Sequence, residues 1–264
     1  MYGETYITLC MERDHETPSS SARKSLGSAY SARMKIAVFV AGTNEPSNSD
    51  ILAEAFIEGM RSENPDIVKL RLKDLQLSHF DLHHYDPNTA KEDDFCRVMQ
   101  AFDGSDGVVF VTPIWNFSVP AHFKNFIDRI GAFALDQQTH SKGQFQGKPF
   151  FILFTGGAPM IAWQALMYLT TLHVQEAVKY YGGVVIGKHF EPRCLPGRGK
   201  FGLVVDKREG SLEKMRRRGK RFAEVCAHYK ANGHLPFFVR LRYSLFTFMY
   251  RVGNRIMYPL SNLQ

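Results

Sequence analysis

The 264-residue chain is predicted to fold as a doubly wound α/β domain, with five parallel strands as the middle layer of three. Three observations carry this prediction. Short unbroken apolar runs, IAVFVA at 36–41, VVFVT at 108–112 and FFILFT at 150–155, have the composition of strands buried on both faces of a parallel sheet. Segments between them place apolar residues at steps of three and four, the helical spacing. Strands that alternate with helices need crossover connections, and this length holds one such domain with appendages.

Residues 1–33 are polar, with serines crowded between Pro18 and Ser31, and they lack the apolar run of a signal peptide. A flexible extension is expected there, with Met34 opening the first strand. After Ile36–Ala41 comes a polar loop, Gly42 to Asn48. A helix over Ser49–Arg61 follows, its apolar side made by Ile51, Leu52, Ala55, Phe56 and Ile57. Asn64-Pro65 ends it, and Ile67–Leu72 forms the second strand. A polar stretch from Ser78 to Asp93 leads to a helix over Asp93–Phe102. Asp103-Gly104 and Asp106-Gly107 then turn the chain into the third strand, Val108–Thr112. Beyond the loop Pro113–Pro120 a helix covers Ala121–Gly131, and residues 132–149 read as irregular. Phe150–Thr155 is the fourth strand, broken by Gly156-Gly157. A helix over Leu166–Tyr181 precedes a fifth strand that starts at Val184–Ile186. The domain spans 34–230 and closes with a basic helix over 212–230, leaving 231–264 as a tail.

Apolar content of 44% and charged content of 22% are those of an ordinary soluble protein. No stretch has the length and purity of a transmembrane helix, and nothing suggests export, so a cytoplasmic location is expected. Cys10, Cys96, Cys194 and Cys226 stand far apart, with no CxxC pair and no zinc spacing, a usage that suits a reducing compartment. Charge is uneven. From Lys207 onward there are 13 Lys/Arg against 3 Asp/Glu, a balance of +10 within a whole-chain charge of +7, so the body carries about −3. The basic character belongs to the tail, where it suits anionic lipid, nucleic acid, an acidic partner or plain solvation. No nucleic-acid-binding motif is present.

Ligands of such sheets bind beyond the carboxyl ends of the strands, where the strand order reverses; in the flavodoxin-like order this point lies between the first and third strands. Three loops meet that description. The first, GTNEPSNSD, offers Thr43, Ser47, Asn48 and Ser49 beside a helix N-terminus, whose free N–H groups and dipole suit phosphate. It contains no Lys or Arg and is neither a Walker loop nor a GxGxxG turn, and an ordinary helix cap is the competing reading. The second, TPIWNFSVP, sets Trp115 and Phe117 in a turn between prolines, where they either cover a flat ligand or cap the core. The third, TGGAPMIAW, has two glycines just past a strand, which let backbone approach a ligand closely. Lys124, Asp128 and Arg129 on the following helix read as surface pairs. His79, His83 and His84 have metal-like spacing in an unpromising Pro/Asp context, so no metal is expected.

The segment TPIWNFSVPAHFKNFIDRI resembles the P-x-Y-N-F-x-x-P-x-x-L-K-x-x-I-D-R-I motif of FMN-dependent NAD(P)H oxidoreductases, the group of azoreductases, quinone reductases and NADPH-dependent FMN reductases. The resemblance covers about 34–187. It implies a flavodoxin-like fold and FMN as cofactor, with Pro113, Ile114, Trp115, Asn116 and Phe117 along the isoalloxazine ring and Trp115 where tyrosine is usual. It implies a phosphate loop at Ser47, Asn48 and Ser49, and a pyrimidine-edge segment at Thr155, Gly156 and Gly157. There Gly156 replaces the family's arginine. It further implies NADPH or NADH as donor, ping-pong hydride transfer through flavin N5 to a small acceptor (quinone, azo compound, flavin or metal ion), and a homodimer. No Ser/His/Asp grouping or paired-carboxylate motif is present, and a flavin needs none.

Two rival functions share the fold: a flavodoxin-type electron carrier without NAD(P)H oxidation, and a non-redox scaffold. The carrier fits poorly with a basic tail, and the scaffold would leave an apolar cleft exposed. In the tail, Phe238, Leu241, Leu245, Phe248, Val252 and Ile256 recur at helical steps, with Arg240, Ser244, Thr247, Arg251 and Arg255 opposite. An amphipathic helix over about 236–258 is predicted, either packed on protein or in peripheral contact with a membrane.

Overall fold

The computed structural model describes residues 33–241, except 87, 90, 91, 137–142, 198 and 199. The extension expected before Arg33 and the tail beyond Leu241 lie outside the described residues.

Five strands form one parallel sheet: β1 (Lys35–Val40), β2 (Asp66–Arg71), β3 (Gly107–Pro113), β4 (Pro149–Thr155) and β5 (Val184–Glu191). Their order is β2-β1-β3-β4-β5, the flavodoxin-like order, with the reversal between β1 and β3. Helices α1 (Asn48–Met60), α2 (Phe95–Phe102), α3 (Ala121–Ala134), α4 (Leu172–Tyr180) and α5 (Glu209–Asn232) cover it.

Strand side chains alternate between two cores. Phe39, Phe110, Phe150 and Phe154 face α2, α3 and α4, where Phe102, Phe123, Phe126 and Val174 join them. Val38, Val109, Phe151 and Leu153 face α1 and α5, against Phe56, Met60, Met215 and Phe222. Both faces are buried, which is why the strands read as unbroken apolar runs. α1 and α5 cross with backbones in contact: a Cβ on Gly59 would lie 1.9 Å from the Arg216 carbonyl oxygen, and one on Gly219 would lie 2.0 Å from that of Phe56.

β5 starts at Val184 as predicted and runs on through Gly187, Lys188, His189 and Phe190 to Glu191; it is an edge strand, and its polar residues hide where it ends. Two helices depart from the sequence prediction. α3 continues to Ala134, because Ala132 and Ala134 are buried in the core. The helix expected over Leu166–Tyr181 is interrupted. Met160–Ala162 is α-helical, Trp163–Met167 is a π-helical turn and Tyr168–Thr170 returns to α before α4. The wide turn seats Trp163 against Phe190, with ring centroids 4.6 Å apart and planes 10° from parallel.

Candidate cofactor cleft

β1, β3 and β4 end at the same edge of the sheet, and the loops that follow them enclose a cleft of about 520 Å³. That volume suits a small ligand or cofactor. Of the twelve site residues named from sequence, eleven line it: Thr43, Ser47, Asn48, Ser49, Pro113, Ile114, Trp115, Asn116, Thr155, Gly156 and Gly157. Phe117 does not. No described lining residue carries a formal charge.

At one end the cleft meets the N-terminus of α1. Ser47 is the N-cap, its Oγ accepting from the Asp50 N–H at 3.3 Å, which leaves its own hydroxyl proton free to donate. The first-turn amides have no carbonyl one turn earlier to bond. Ser49 is buried and its Oγ lies 2.7 Å from Thr155 Oγ1, so one hydroxyl proton of that pair is used and the other is available. Asn48 has a different task. Its Nδ2 donates to the carbonyls of Gly202 (2.8 Å) and Cys194 (3.2 Å). Its Oδ1 accepts from the amides of Val204 (2.9 Å) and Val205 (3.0 Å). The side chain clasps the loop after β5 to the start of α1, so it is not a spare phosphate donor.

At the other end lies the aromatic loop. Trp115 and Ser118 exchange backbone hydrogen bonds of 2.8 and 3.0 Å around a two-residue turn. Asn116 (φ 48°) and Phe117 (φ 69°) both take left-handed backbone there. Asparagine tolerates that region, but a bulky residue does not, at a cost of about 1–2 kcal/mol. Thr170, where the interrupted helix ends, holds the turn: its hydroxyl donates to the Phe117 carbonyl, and its own carbonyl accepts from Ser118 Oγ at 3.0 Å. The turn points Phe117 into solvent at 58% exposure. Phe117 is thus the one residue of the twelve that does not line the cleft. Trp115 is partly exposed in the cleft, its ring 5.9 Å from that of His122. His122 in turn donates from Nε2 to the Ala41 carbonyl at 2.8 Å, tying α3 to the end of β1.

The third loop brings main chain to the cleft. Gly156 N–H donates to the Glu191 carbonyl (3.0 Å), and its own carbonyl accepts from Cys194 N–H (2.9 Å). A Cβ at Gly156 would stand 2.8 Å from Phe190 Cε2. Phe190 is stacked on Trp163, so any side chain at position 156, where the resemblance would place arginine, would have to displace that ring.

A fourth wall follows β5, formed by Cys194, Leu195 and Phe201, which the sequence analysis did not single out. The signal for it was positional: the stretch after the fifth strand, Pro192 to Gly202, is rich in Pro and Gly. Behind this wall Glu191 is buried. Arg208 Nη1 and Ser211 Oγ donate to its Oε1, both at 2.9 Å, and His189 Nε2 lies 3.1 Å from Oε2. Burial pushes this carboxyl up, but the bonds from His189, Arg208 and Ser211 outweigh it and hold the group below its ordinary value. Arg208 also donates to the carbonyls of Pro192 and Arg193, so the wall is anchored at both ends. The Cys194 thiol is buried, which raises its pKa to about 11; it is no nucleophile.

Outside the cleft, Lys124 and Asp128 form the surface pair expected (2.6 Å), but Arg129 is 1% exposed and pairs with Asp93 at 2.6 Å. The Asp81, His83 and His84 ligand atoms lie within 4.8 Å of one another. His84, however, spends Nδ1 on the Asp81 N–H and Nε2 on Ser78 Oγ, both at 3.0 Å, as part of a helix cap.

A family model described as NADPH-dependent FMN reductase matches residues 34–189. The chain belongs to that family. By membership it is an FMN-dependent oxidoreductase. It is 29% identical over 126 residues to the putative NAD(P)H-dependent FMN-containing oxidoreductase YwqN of Bacillus subtilis, across 47% of this chain and 67% of the relative. It is 28% identical over 131 residues to an FMN-dependent NADH:quinone oxidoreductase of Desulfotalea psychrophila, across 42% of this chain and 62% of that protein. The alignments thus span about two thirds of each relative's length. Among solved structures, the NAD(P)H:quinone oxidoreductase of Methanothermobacter marburgensis superposes with a TM-score of 0.54 at 19% identity, covering 72% of this chain and 96% of that one. That likeness shows the fold. The family match ends at 189, so the fourth wall lies beyond it.

Proposed function

We propose that this chain holds FMN in the cleft between β1, β3 and β4 and passes electrons from NADH or NADPH to a small acceptor such as a quinone, azo compound, free flavin or metal ion. The observation that carries the reading is the cleft itself, where three strand-end loops place hydrogen-bond donors, a flat aromatic and bare backbone around one uncharged space. The donor set fits the cofactor. The phosphate is assigned to the first-turn amides of α1 with the Ser47 and Thr43 hydroxyls, a cradle that needs no cation. Trp115 and Ile114 are assigned to the ring, and the Gly156-Gly157 backbone to its polar edge.

The chemistry FMN supplies when bound is two-electron carriage through N5. The protein's part is to orient the ring and to keep charged side chains out of the cleft. Donor and acceptor would then take turns in that one cleft, which is ping-pong turnover. Trp115 covers the ring, and the anchored wall of Cys194, Leu195 and Phe201 limits water.

A homodimer belongs to the same proposal. Ile161 (74% exposed) and Leu169 (64%) lie on the interrupted helical stretch whose end, Thr170, holds the aromatic turn, and such exposed apolar residues suit a second copy. So does a cytoplasmic location. No described helix is long and apolar enough to cross a membrane.

The test is an absorbance spectrum after incubation with FMN and desalting, followed by anaerobic NADH or NADPH. Retained flavin bands that bleach support the enzyme. Bands that persist on NAD(P)H addition would make the protein an electron carrier, and failure to retain flavin would refute the cleft assignment. Trp115→Ala is expected to weaken FMN binding about tenfold or more, since a stacked aromatic contributes on the order of 1 kcal/mol beyond its buried area.

A further inference from the structure

We infer that the outer face of α5 and the turn that follows it form a docking surface for an anionic lipid bilayer. The surface is separate from the cleft, and neither the family membership nor the proposed redox activity calls for it.

α5 packs its inner side, Met215, Gly219, Phe222, Ala223 and Cys226, into the core. Its outer side carries Lys214, Arg217, Lys220 and Arg221, all exposed. A different residue of this helix engages the nearby carboxylates: Arg216 takes up Glu58 of α1 at 2.8 Å, and Glu209 and Glu213 of α5 at 2.6 and 3.5 Å. Arg218 turns inward and donates to the Lys188 carbonyl. No ion pair engages Lys214, Arg217, Lys220 or Arg221 among the described residues, and Glu224 is the last acidic residue in the chain. From 225 to the end there are five Lys/Arg and no Asp or Glu.

The helix ends at Gly233, in left-handed backbone. The chain then turns through Leu235, which is buried, into a new helical turn at 237–241. Phe237 is 62% exposed, Phe238 81% and Leu241 43%. Spacings of three and four residues put Leu241 on the same side of that turn as both phenylalanines. Two neighbouring phenylalanines left in water beside a cationic helix are costly unless something apolar receives them. In sequence, Leu245, Phe248, Val252 and Ile256 continue the apolar steps, and arginine is the only charge among them.

Cations that meet lipid headgroups, followed by aromatics that enter the acyl boundary, are the two elements of interfacial binding. Clusters of four to eight Lys/Arg on such a helix suit phosphatidylserine and phosphoinositide surfaces. An acidic protein would match the cations but not the phenylalanines. A second copy of this chain would bring cations against cations. Nucleic acid would leave the phenylalanines without a partner.

The test uses the full chain with FMN present and vesicles of phosphatidylcholine, with and without about one third phosphatidylserine, in flotation at low and high salt. Binding is expected only to the anionic vesicles and should fall as salt rises, because surface charge is screened within a Debye length. Arg217→Gln with Arg221→Gln, both on the exposed side, should weaken partitioning roughly 30-fold, at about 1 kcal/mol per cation. Phe238→Ser should weaken it at high salt as well as low. Flavin absorbance and thermal melting of each variant should match the parent, which separates lost docking from lost folding. Failure to float with anionic vesicles overturns the inference. So does flotation that the double variant leaves unchanged, or tighter binding to an oligonucleotide than to the vesicles.

Discussion

Asn48→Ala tests whether this side chain clasps the wall of the cleft or contacts a phosphate. The substitution removes four hydrogen bonds at once, stranding the Val204 and Val205 amides and the Cys194 and Gly202 carbonyls. Each bond contributes about 0.5–1.5 kcal/mol net. Partial solvent access to this loop lets water replace some of them, so the expected loss is about 2–3 kcal/mol. It falls on the loop that carries Cys194, Leu195 and Phe201, and a wall that opens this readily should weaken cofactor binding by about 30- to 150-fold. Fluorescence titration with FMN and with riboflavin separates the two roles. A clasp gives the same fold-loss for both flavins, whereas a phosphate ligand affects FMN alone. Amide exchange at Val204 and Val205 should accelerate in the variant. Asn48→Asp keeps the acceptor oxygen and should lose about half as much. A fall confined to FMN, or no change in Val204 and Val205 exchange, would refute the clasp.

Three further outcomes follow from the geometry. Arg129→Met breaks a buried pair and leaves Asp93 without its main partner, which should destabilise the protein by about 3–5 kcal/mol in denaturant titration. In the parent, burial raises the Asp93 pKa, but bonds from Arg129 and Ser78 outweigh it and leave the pKa lowered. Its stabilisation is therefore complete above the unfolded-state value of about 3.9 and is lost as pH falls through the folded value. Stability measured from pH 6 to pH 2 should fall along that acid limb, and Asp93→Asn should flatten it. Phe117→Gly removes a bulky residue from left-handed backbone while burying nothing less, so the melting free energy should rise by about 1 kcal/mol. FMN affinity should stay within about threefold; a larger loss would return Phe117 to the cleft. Cys194, with its pKa raised to about 11 by burial, should resist iodoacetamide at pH 8 in mass-mapped labelling, and rapid modification of the folded protein would contradict the inert thiol.

Much of the cleft was legible in the chain because it is built from local signals. Polar and glycine-rich stretches directly after apolar strands mark loops at the carboxyl edge, and the reversal in strand order says which loops meet. The roles inside those loops were less legible. Ser47 is the N-cap of α1, and the proposed cradle role draws on the same hydroxyl. Phe117 reads as a second ring-covering aromatic, and the left-handed turn at 116–117 that leaves it exposed was not legible, because φ is not written in residue type for a phenylalanine. The wall after β5 was missed because an edge strand with Gly187, Lys188 and His189 does not show an apolar run, which hid where its loop begins.

By itself the sequence determined the class of fold, the order of its elements and the three loops nearest the switch point, since these rest on periodicity and on residues close together in the chain. Only the tertiary structure decided that Asn48 binds a loop about 150 residues away, that Arg129 is buried on Asp93, and that Phe190 occupies the space beside Gly156. Each of these depends on which partner a polar or bulky side chain meets. That partner is chosen by how helices and strands pack in three dimensions, because a buried donor, charge or ring must be matched by whatever group the packing brings within reach.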